Sequence, residues 1–93
     1  MQYTSRLALR PLIGLSAKIK QTSNHALHRI TGVILDDTQN MLTLFDGHRT
    51  RHVSKASCLF ELSLPNGETV EIPGKALLGH PAERLRRAKK LQW

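Results

Sequence analysis

The chain is poor in the residues that disulfides, membrane spans and base-stacking surfaces require. Cys58 is its only cysteine, so no internal disulfide can form and a reducing, cytoplasmic setting is favoured. No run of roughly 18 apolar residues occurs, which disfavours a membrane-spanning helix. Two Phe, one Tyr and one Trp are too few for the stacked-base platform of a single-strand nucleic-acid binder.

Acidic residues are also scarce, and they are confined to one part of the chain. Seven Asp and Glu stand against fourteen Lys and Arg, which gives a net charge of +7. No acid precedes Asp36, and unopposed basic residues gather toward the two ends of the chain. Such an excess favours a polyanionic partner, with nucleic acid a better candidate than a membrane surface.

Short runs rich in β-branched residues alternate with turn signals through most of the chain. The predicted strands are residues 15–21, 28–37, 40–46, 49–55, 57–64 and 68–74. Close, regular spacing of this kind indicates an all-β domain with a small, closed or nearly closed antiparallel sheet. We expect residues 1–11 to form an N-terminal extension with a short helix, 12–80 the barrel, and 81–93 a basic C-terminal helix that Pro81 begins.

Several positions within the predicted sheet have specific expectations. The alternation of residues 57–64 places Cys58 and Phe60 on the inward face. Gly32, inside a strand, suggests a bulge or a tight bend. Asn66-Gly67 predicts a type I′ hairpin turn, in which both central residues need positive φ. Asp37, just before Thr38, is interpreted as a turn residue.

Lys and Arg side chains on the strands and in the C-terminal segment are the candidate phosphate contacts. They are Lys18, Lys20, Arg29, Arg49, Arg51, Lys55, Arg84, Arg86, Arg87, Lys89 and Lys90. Each phosphate that they neutralise releases counterions, so affinity for nucleic acid should fall steeply with salt. Two alternatives stay open: the basic C-terminal segment is a solvated surface, or Lys18 and Lys20 protect an edge strand from aggregation.

No catalytic or metal site is predicted. His25 with His28, and His48 with His52, have spacings that suit metal ligands, but no cysteine pair or acid cluster accompanies them. The adjacent acids Asp36 and Asp37 would face opposite sides of a strand, so they cannot act together as a carboxylate pair.

Three segments, in order, resemble the archaeal family of ribonuclease P protein component 1. They are GVILDDTQNMLTL from Gly32, VSK from Val53, and CLFELSLPNGETVEIPGKALLGHPAERL from Cys58. The Leu12-Ile13-Gly14 sequence also matches the family's L-I-G at the start of the first strand. The resemblance covers about residues 9–90, and no single segment is as specific as the ordered set.

The resemblance implies a strongly bent Sm-like or SH3-like barrel that binds ribonuclease P RNA. That RNA, using Mg²⁺, removes the 5′ leader of precursor tRNA, so this chain would be a non-catalytic subunit without a cofactor of its own and would meet precursor tRNA indirectly. The implied protein partners are a zinc-ribbon subunit and the other ribonuclease P proteins. Four apolar residues near the N-terminus either pack on the barrel or contact a partner subunit, and the partner is favoured because so small a barrel already has its apolar complement: Leu7, Leu9, Leu12 and Ile13.

Two other functions remain in competition with this one. A ribosomal or other Sm/SH3-like RNA-binding protein would share the barrel, although the L-L-G-H-P-A-E-R-L run argues against it. A stand-alone nuclease would need a general base or a metal-binding acid cluster, and neither is visible.

Overall fold

The computed structural model describes residues 11–81 and 83–84. Its strands are β1 (Ser16–Thr22), β2 (Thr31–Asp37), β3 (Met41–Phe45), β4 (Thr50–Ser54), β5 (Cys58–Ser63) and β6 (Thr69–Pro73). Single 3₁₀ turns occupy His25–Leu27 and Gly74–Leu77. The six strands form one antiparallel sheet in the order β4-β3-β2-β1-β5-β6, so all six predicted strands are confirmed.

A single core draws side chains from every strand, which requires the sheet to curve strongly around it. The buried members are Leu12, Leu15, Ala17, Ile19, Ile34, Leu42, Leu44, Val53, Cys58, Phe60, Leu62, Val70, Ile72 and Leu77. Phe60 is fully buried and Cys58 nearly so, as the alternation of β5 predicts. Register shifts between Ile19 and Gln21 and between Ile34 and Asp36 interrupt the ladders at bulges, which increase local bending.

Two glycines are required by close contacts with neighbouring backbone. A Cβ on Gly32 would lie 2.6 Å from the carbonyl oxygen of Phe45 on β3, and one on Gly74 would lie 1.7 Å from that of Lys55. The expected irregularity at Gly32 is therefore a close strand approach, while the bulge of β2 falls between Ile34 and Asp36.

The β5–β6 hairpin is confirmed, but its turn is not type I′. Gly67 N–H donates to Leu64 O at 3.0 Å, and Gly67 alone in this turn has positive φ, at 89°. Pro65 and Asn66 are therefore the central residues, and the fixed φ of proline near −65° excludes the primed turn.

The predicted terminal helices fall largely outside the described residues. The N-terminal one, within residues 1–11, lies there almost entirely. At the other end, Pro81, Glu83 and Arg84 have helical backbone, and Arg84 N–H donates to His80 O at 3.0 Å. Over the part of the chain that is described, no helix has both the length and the apolar character needed to cross a bilayer.

Candidate nucleic-acid interface

A basic groove of about 350 Å³ lies between β1 and the segment that follows the first 3₁₀ turn. Its polar lining is Lys18, Lys20, His28 and Arg29. The alternation of β1 directs Lys18 and Lys20 to solvent, while Ile19 between them is buried. Ile19 N–H donates to Ile30 O at 2.9 Å, which holds the other wall of the groove against the strand.

The backbone at Arg29 is strained. Its φ is 64°, and it is the one non-glycine residue with positive φ in the described part of the chain. A non-glycine residue in this region costs about 1–3 kcal/mol, and such strain often occurs where a side chain must be placed for function. Here the strained residue contributes its cation to the groove.

The cations of the groove differ in how far acids neutralise them. Lys20 Nζ lies 3.6 Å from Glu61 Oε2 and 3.8 Å from Glu71 Oε1. Neither Lys18 nor Arg29 pairs with any of the chain's seven acids, all of which are described residues. Exposed ion pairs such as those of Lys20 are weak, so all three cations can bind a phosphate. Lys18 and Arg29 can do so without first breaking an ion pair.

A second basic region lies on the β3–β4 hairpin and is separate from the groove. Arg51 Nε lies 3.7 Å from Asp46 Oδ2, and Arg49 is exposed. Asp46 accepts hydrogen bonds from the backbone N–H of Arg49 and His48, which hold its pKa below the usual 3.8. Strands β2 and β3 separate β4 from β1, so the predicted contacts do not form one continuous surface.

Two of the predicted phosphate contacts are corrected by the structure. Lys55 has no solvent exposure and Arg84 is 2% exposed, because both cations pair with the buried carboxylate of Asp37. Asp37 is accordingly the last residue of β2 and an internal anion, not a turn residue. Separations of 18 and 47 residues from their partner leave no local sequence signal for this cluster.

The predicted partner contacts divide in the same way. Leu12 is a core residue with 1% exposure, so its assignment to a partner surface is wrong, whereas Ile13 is 56% exposed and stays a candidate. Leu7, Leu9, Arg86, Arg87, Lys89 and Lys90 lie outside the described residues.

Sequence reasoning missed an exposed apolar set on β2 and β3: Val33, Leu35 and Phe45. Val33 and Phe45 are direct cross-strand neighbours.

Within residues 11–81 and 83–84, no three His, Cys, Asp or Glu side chains converge on a possible metal site. Among the four predicted histidines, His52 is held on the sheet surface, where its Nδ1 lies 3.0 Å from Thr43 Oγ1. His28 borders the basic groove.

The fold and the groove together define a small, basic all-β protein with an exposed cationic surface. The family model for ribonuclease P/MRP, subunit p29, matches residues 5–87. Ribonuclease P protein component 1 of Pyrococcus horikoshii is 38% identical over 79 residues, which cover 85% of this chain and 61% of that protein. The protein of the same name from Staphylothermus marinus is 39% identical over 89 residues, covering 92% of this chain and 96% of the relative.

The comparison of solved structures agrees with the sequence matches. The structure of Mth11, a homologue of human RNase P protein Rpp29, is 37% identical with a TM-score of 0.61 and covers 81% of this chain and 97% of that chain. This chain belongs to the ribonuclease P/MRP subunit p29 family, and the predicted family and barrel fold are confirmed.

Proposed function

We propose that this chain docks on folded ribonuclease P RNA through the groove of Lys18, Lys20 and Arg29, and that it leaves phosphodiester hydrolysis to the RNA. Its family makes it a protein subunit of ribonuclease P, which acts in tRNA processing. The observation that carries the RNA contact is the groove itself, where Arg29 adopts a strained backbone beside two strand lysines.

The chemistry of the groove suits the sugar–phosphate backbone of structured RNA. Lysine ammonium and arginine guanidinium groups bind phosphate oxygens, and folded RNA is recognised largely by shape through phosphates and 2′-hydroxyls. Of the described aromatic residues, Phe60 is buried and Phe45 is 39% exposed, which leaves little surface for stacking unpaired bases.

The proposals for catalysis, metal binding and protein partners follow from assigning hydrolysis to the RNA. The chain itself is proposed to be a non-catalytic subunit, with no metal or cofactor of its own. Mg²⁺ would be bound by the RNA of the assembled endoribonuclease. A zinc-ribbon subunit and the other ribonuclease P proteins are the proposed protein partners, with Ile13 in the contact, and the cytoplasm is the proposed location.

Reconstitution tests the proposal directly. Ribonuclease P RNA and the other protein subunits are assembled with and without this chain, and precursor-tRNA cleavage is followed as Mg²⁺ is varied. The chain should lower the Mg²⁺ requirement, and the double variant Lys18→Gln/Arg29→Gln should lose most of that effect. Lys75→Gln, an exposed lysine outside the groove, is the matched control and should behave as wild type.

Three results would contradict the proposal. Cleavage of precursor tRNA by the purified chain with Mg²⁺ would refute a non-catalytic role. Failure to bind the RNA in dilute buffer would refute RNA docking. An equal loss in the Lys75→Gln control would refute the assignment of the groove.

A further inference from the structure

We infer that Arg84 is a positioning residue: by pairing with Asp37 inside the barrel, it fixes the point from which the basic residues 85–93 reach the RNA. The inference rests on the proposed RNA-binding function. The inference goes beyond that function because it assigns the buried side chain of Arg84 an effect on RNA affinity. That effect operates through residues 85–93.

The guanidinium of Arg84 binds both oxygens of the Asp37 carboxylate. Its Nη2 lies 2.7 Å from Asp37 Oδ2 and its Nη1 lies 3.2 Å from Asp37 Oδ1. Nη1 also donates to the carbonyl oxygens of Gly79 at 2.8 Å and Leu77 at 3.1 Å. A planar fork held by four contacts has a defined direction, which a single ammonium contact would not supply.

Lys55 gives Asp37 a second cation. It completes a buried cluster of Asp37, Lys55 and Arg84, which we call the anchor. Its Nζ lies 2.7 Å from Asp37 Oδ1 and also donates to the carbonyl oxygens of Thr38 and Gly79. The cluster thus joins the end of β2, the β4–β5 connection and the segment 77–84. Because Lys55 alone neutralises Asp37, the carboxylate stays paired when Arg84 is removed.

Arg84 directly precedes the basic C-terminal segment, so the anchor fixes where that segment begins. Residues 85–93 contain Arg86, Arg87, Lys89 and Lys90 and no acid. In this proposal these cations contact the RNA, and the anchoring of Arg84 fixes the point at which their segment begins. Without the anchor, RNA binding must also order the backbone that precedes them, and ordering even one residue weakens affinity by roughly tenfold.

The salt dependence of RNA binding separates positioning from direct contact. In Arg84→Gln, affinity for ribonuclease P RNA should fall roughly tenfold while the slope of log K against log salt is unchanged, because the same phosphates are still neutralised. Arg84→Lys should recover part of the affinity. Lys18→Gln is the control for a direct contact and should reduce the slope by about one unit. A similar reduction in slope for Arg84→Gln would overturn the inference.

A double-mutant cycle in the full-length chain provides an independent test. When Arg86, Arg87, Lys89 and Lys90 are all replaced by Gln, adding Arg84→Gln should produce no further loss of RNA affinity. A full loss in that background would show that Arg84 acts through the barrel or on the RNA itself, which would overturn the inference even if Arg84→Gln is poorly folded. If the wild-type chain does not bind RNA, the proposed function fails first, and this cycle has no effect to measure.

Discussion

The carboxylate of Asp37 and the guanidinium of Arg84 form a bidentate pair in the interior of the barrel, although 47 residues separate them in the chain. Lys55 binds the same carboxylate from another side. One anion therefore pairs with two buried cations, which also donate hydrogen bonds to three backbone carbonyl oxygens. Removing each of the three side chains should therefore destabilise the protein by a different amount.

Asp37→Asn should destabilise the protein more than Arg84→Gln does. Loss of the carboxylate removes the ion pairs of Asp37 with both buried cations, whereas loss of the guanidinium leaves the Asp37–Lys55 pair intact. We expect Asp37→Asn to lower the free energy of unfolding by about 3–5 kcal/mol or more, with a smaller loss for Arg84→Gln. Urea denaturation of both variants measures the difference, and a reversed order would contradict this account of the cluster.

The two phenylalanines give a matched test of the core. Phe60 is fully buried, while Phe45 is 39% exposed. Phe60→Ala should lower the free energy of unfolding by about 3–5 kcal/mol, and Phe45→Ala by about 1 kcal/mol or less. The shift of the urea midpoint at constant slope provides the measurement. Similar losses in the two variants would contradict the difference in burial between Phe60 and Phe45.

Gly74→Ala tests the close contact between the end of β6 and the backbone at Lys55. The added methyl group would overlap the Lys55 carbonyl oxygen, so one of the two segments must move, at a cost of about 3 kcal/mol. Gly47→Ala is the control, because that position has a φ of 101° but open space around it, and the strain alone costs about 1 kcal/mol. Thermal unfolding should rank the variants in this order, and a harmless Gly74→Ala would argue against the contact.

Neutralising the groove should weaken RNA binding in a way that salt titration identifies. Lys18→Gln/Arg29→Gln removes two cations, so the slope of log K against log salt should fall by about two units. Arg29→Gly separates charge from backbone strain, because glycine relieves the strain at a φ of 64° but removes the cation. It should lower RNA affinity without lowering the melting temperature. An unchanged slope in the double variant would exclude the groove from the interface.

The β3–β4 hairpin should lose a stabilising contribution only in strong acid. Hydrogen bonds from the backbone N–H of Arg49 and His48 lower the pKa of Asp46 in the folded protein below 3.8. That contribution is complete above pH 3.8 and disappears as the pH falls through the lower, folded value. The difference in unfolding free energy between wild type and Asp46→Asn should therefore stay constant from about pH 6 to about pH 4 and shrink below that. A difference that changes mainly near neutral pH would point to another group.

The strands were predictable because their pattern is local. Alternation with a period of two places Ala17, Ile19, Phe60 and Leu62 on one face, and the structure buries all four. The turn at Pro65 was misjudged from the Asn66-Gly67 pair alone, although the preceding proline already restricts the turn type. Gly32 signalled an irregularity but not its nature, since the backbone that it approaches belongs to β3.

The candidate site was less predictable because charge alone does not indicate burial. Lys18 and Arg29 were recognisable as exposed cations, but Lys55 and Arg84 have the same chemistry and face inward. Their pairing with the distant Asp37 distinguishes them, and no periodicity in the sequence joins the three positions. The concave shape beside Arg29 likewise depends on its backbone conformation, which residue type does not reveal.

The internal cluster constrains how this protein can diverge. A lineage that replaces the acid at position 37 with a neutral residue loses a buried ion pair with each of positions 55 and 84, and a neutral residue at one of those two positions would reduce the cost. Because position 84 lies next to the basic end of the chain, such a double exchange would also alter how that end is presented. These three positions should therefore change together among distant relatives, and more slowly than the exposed cations around them.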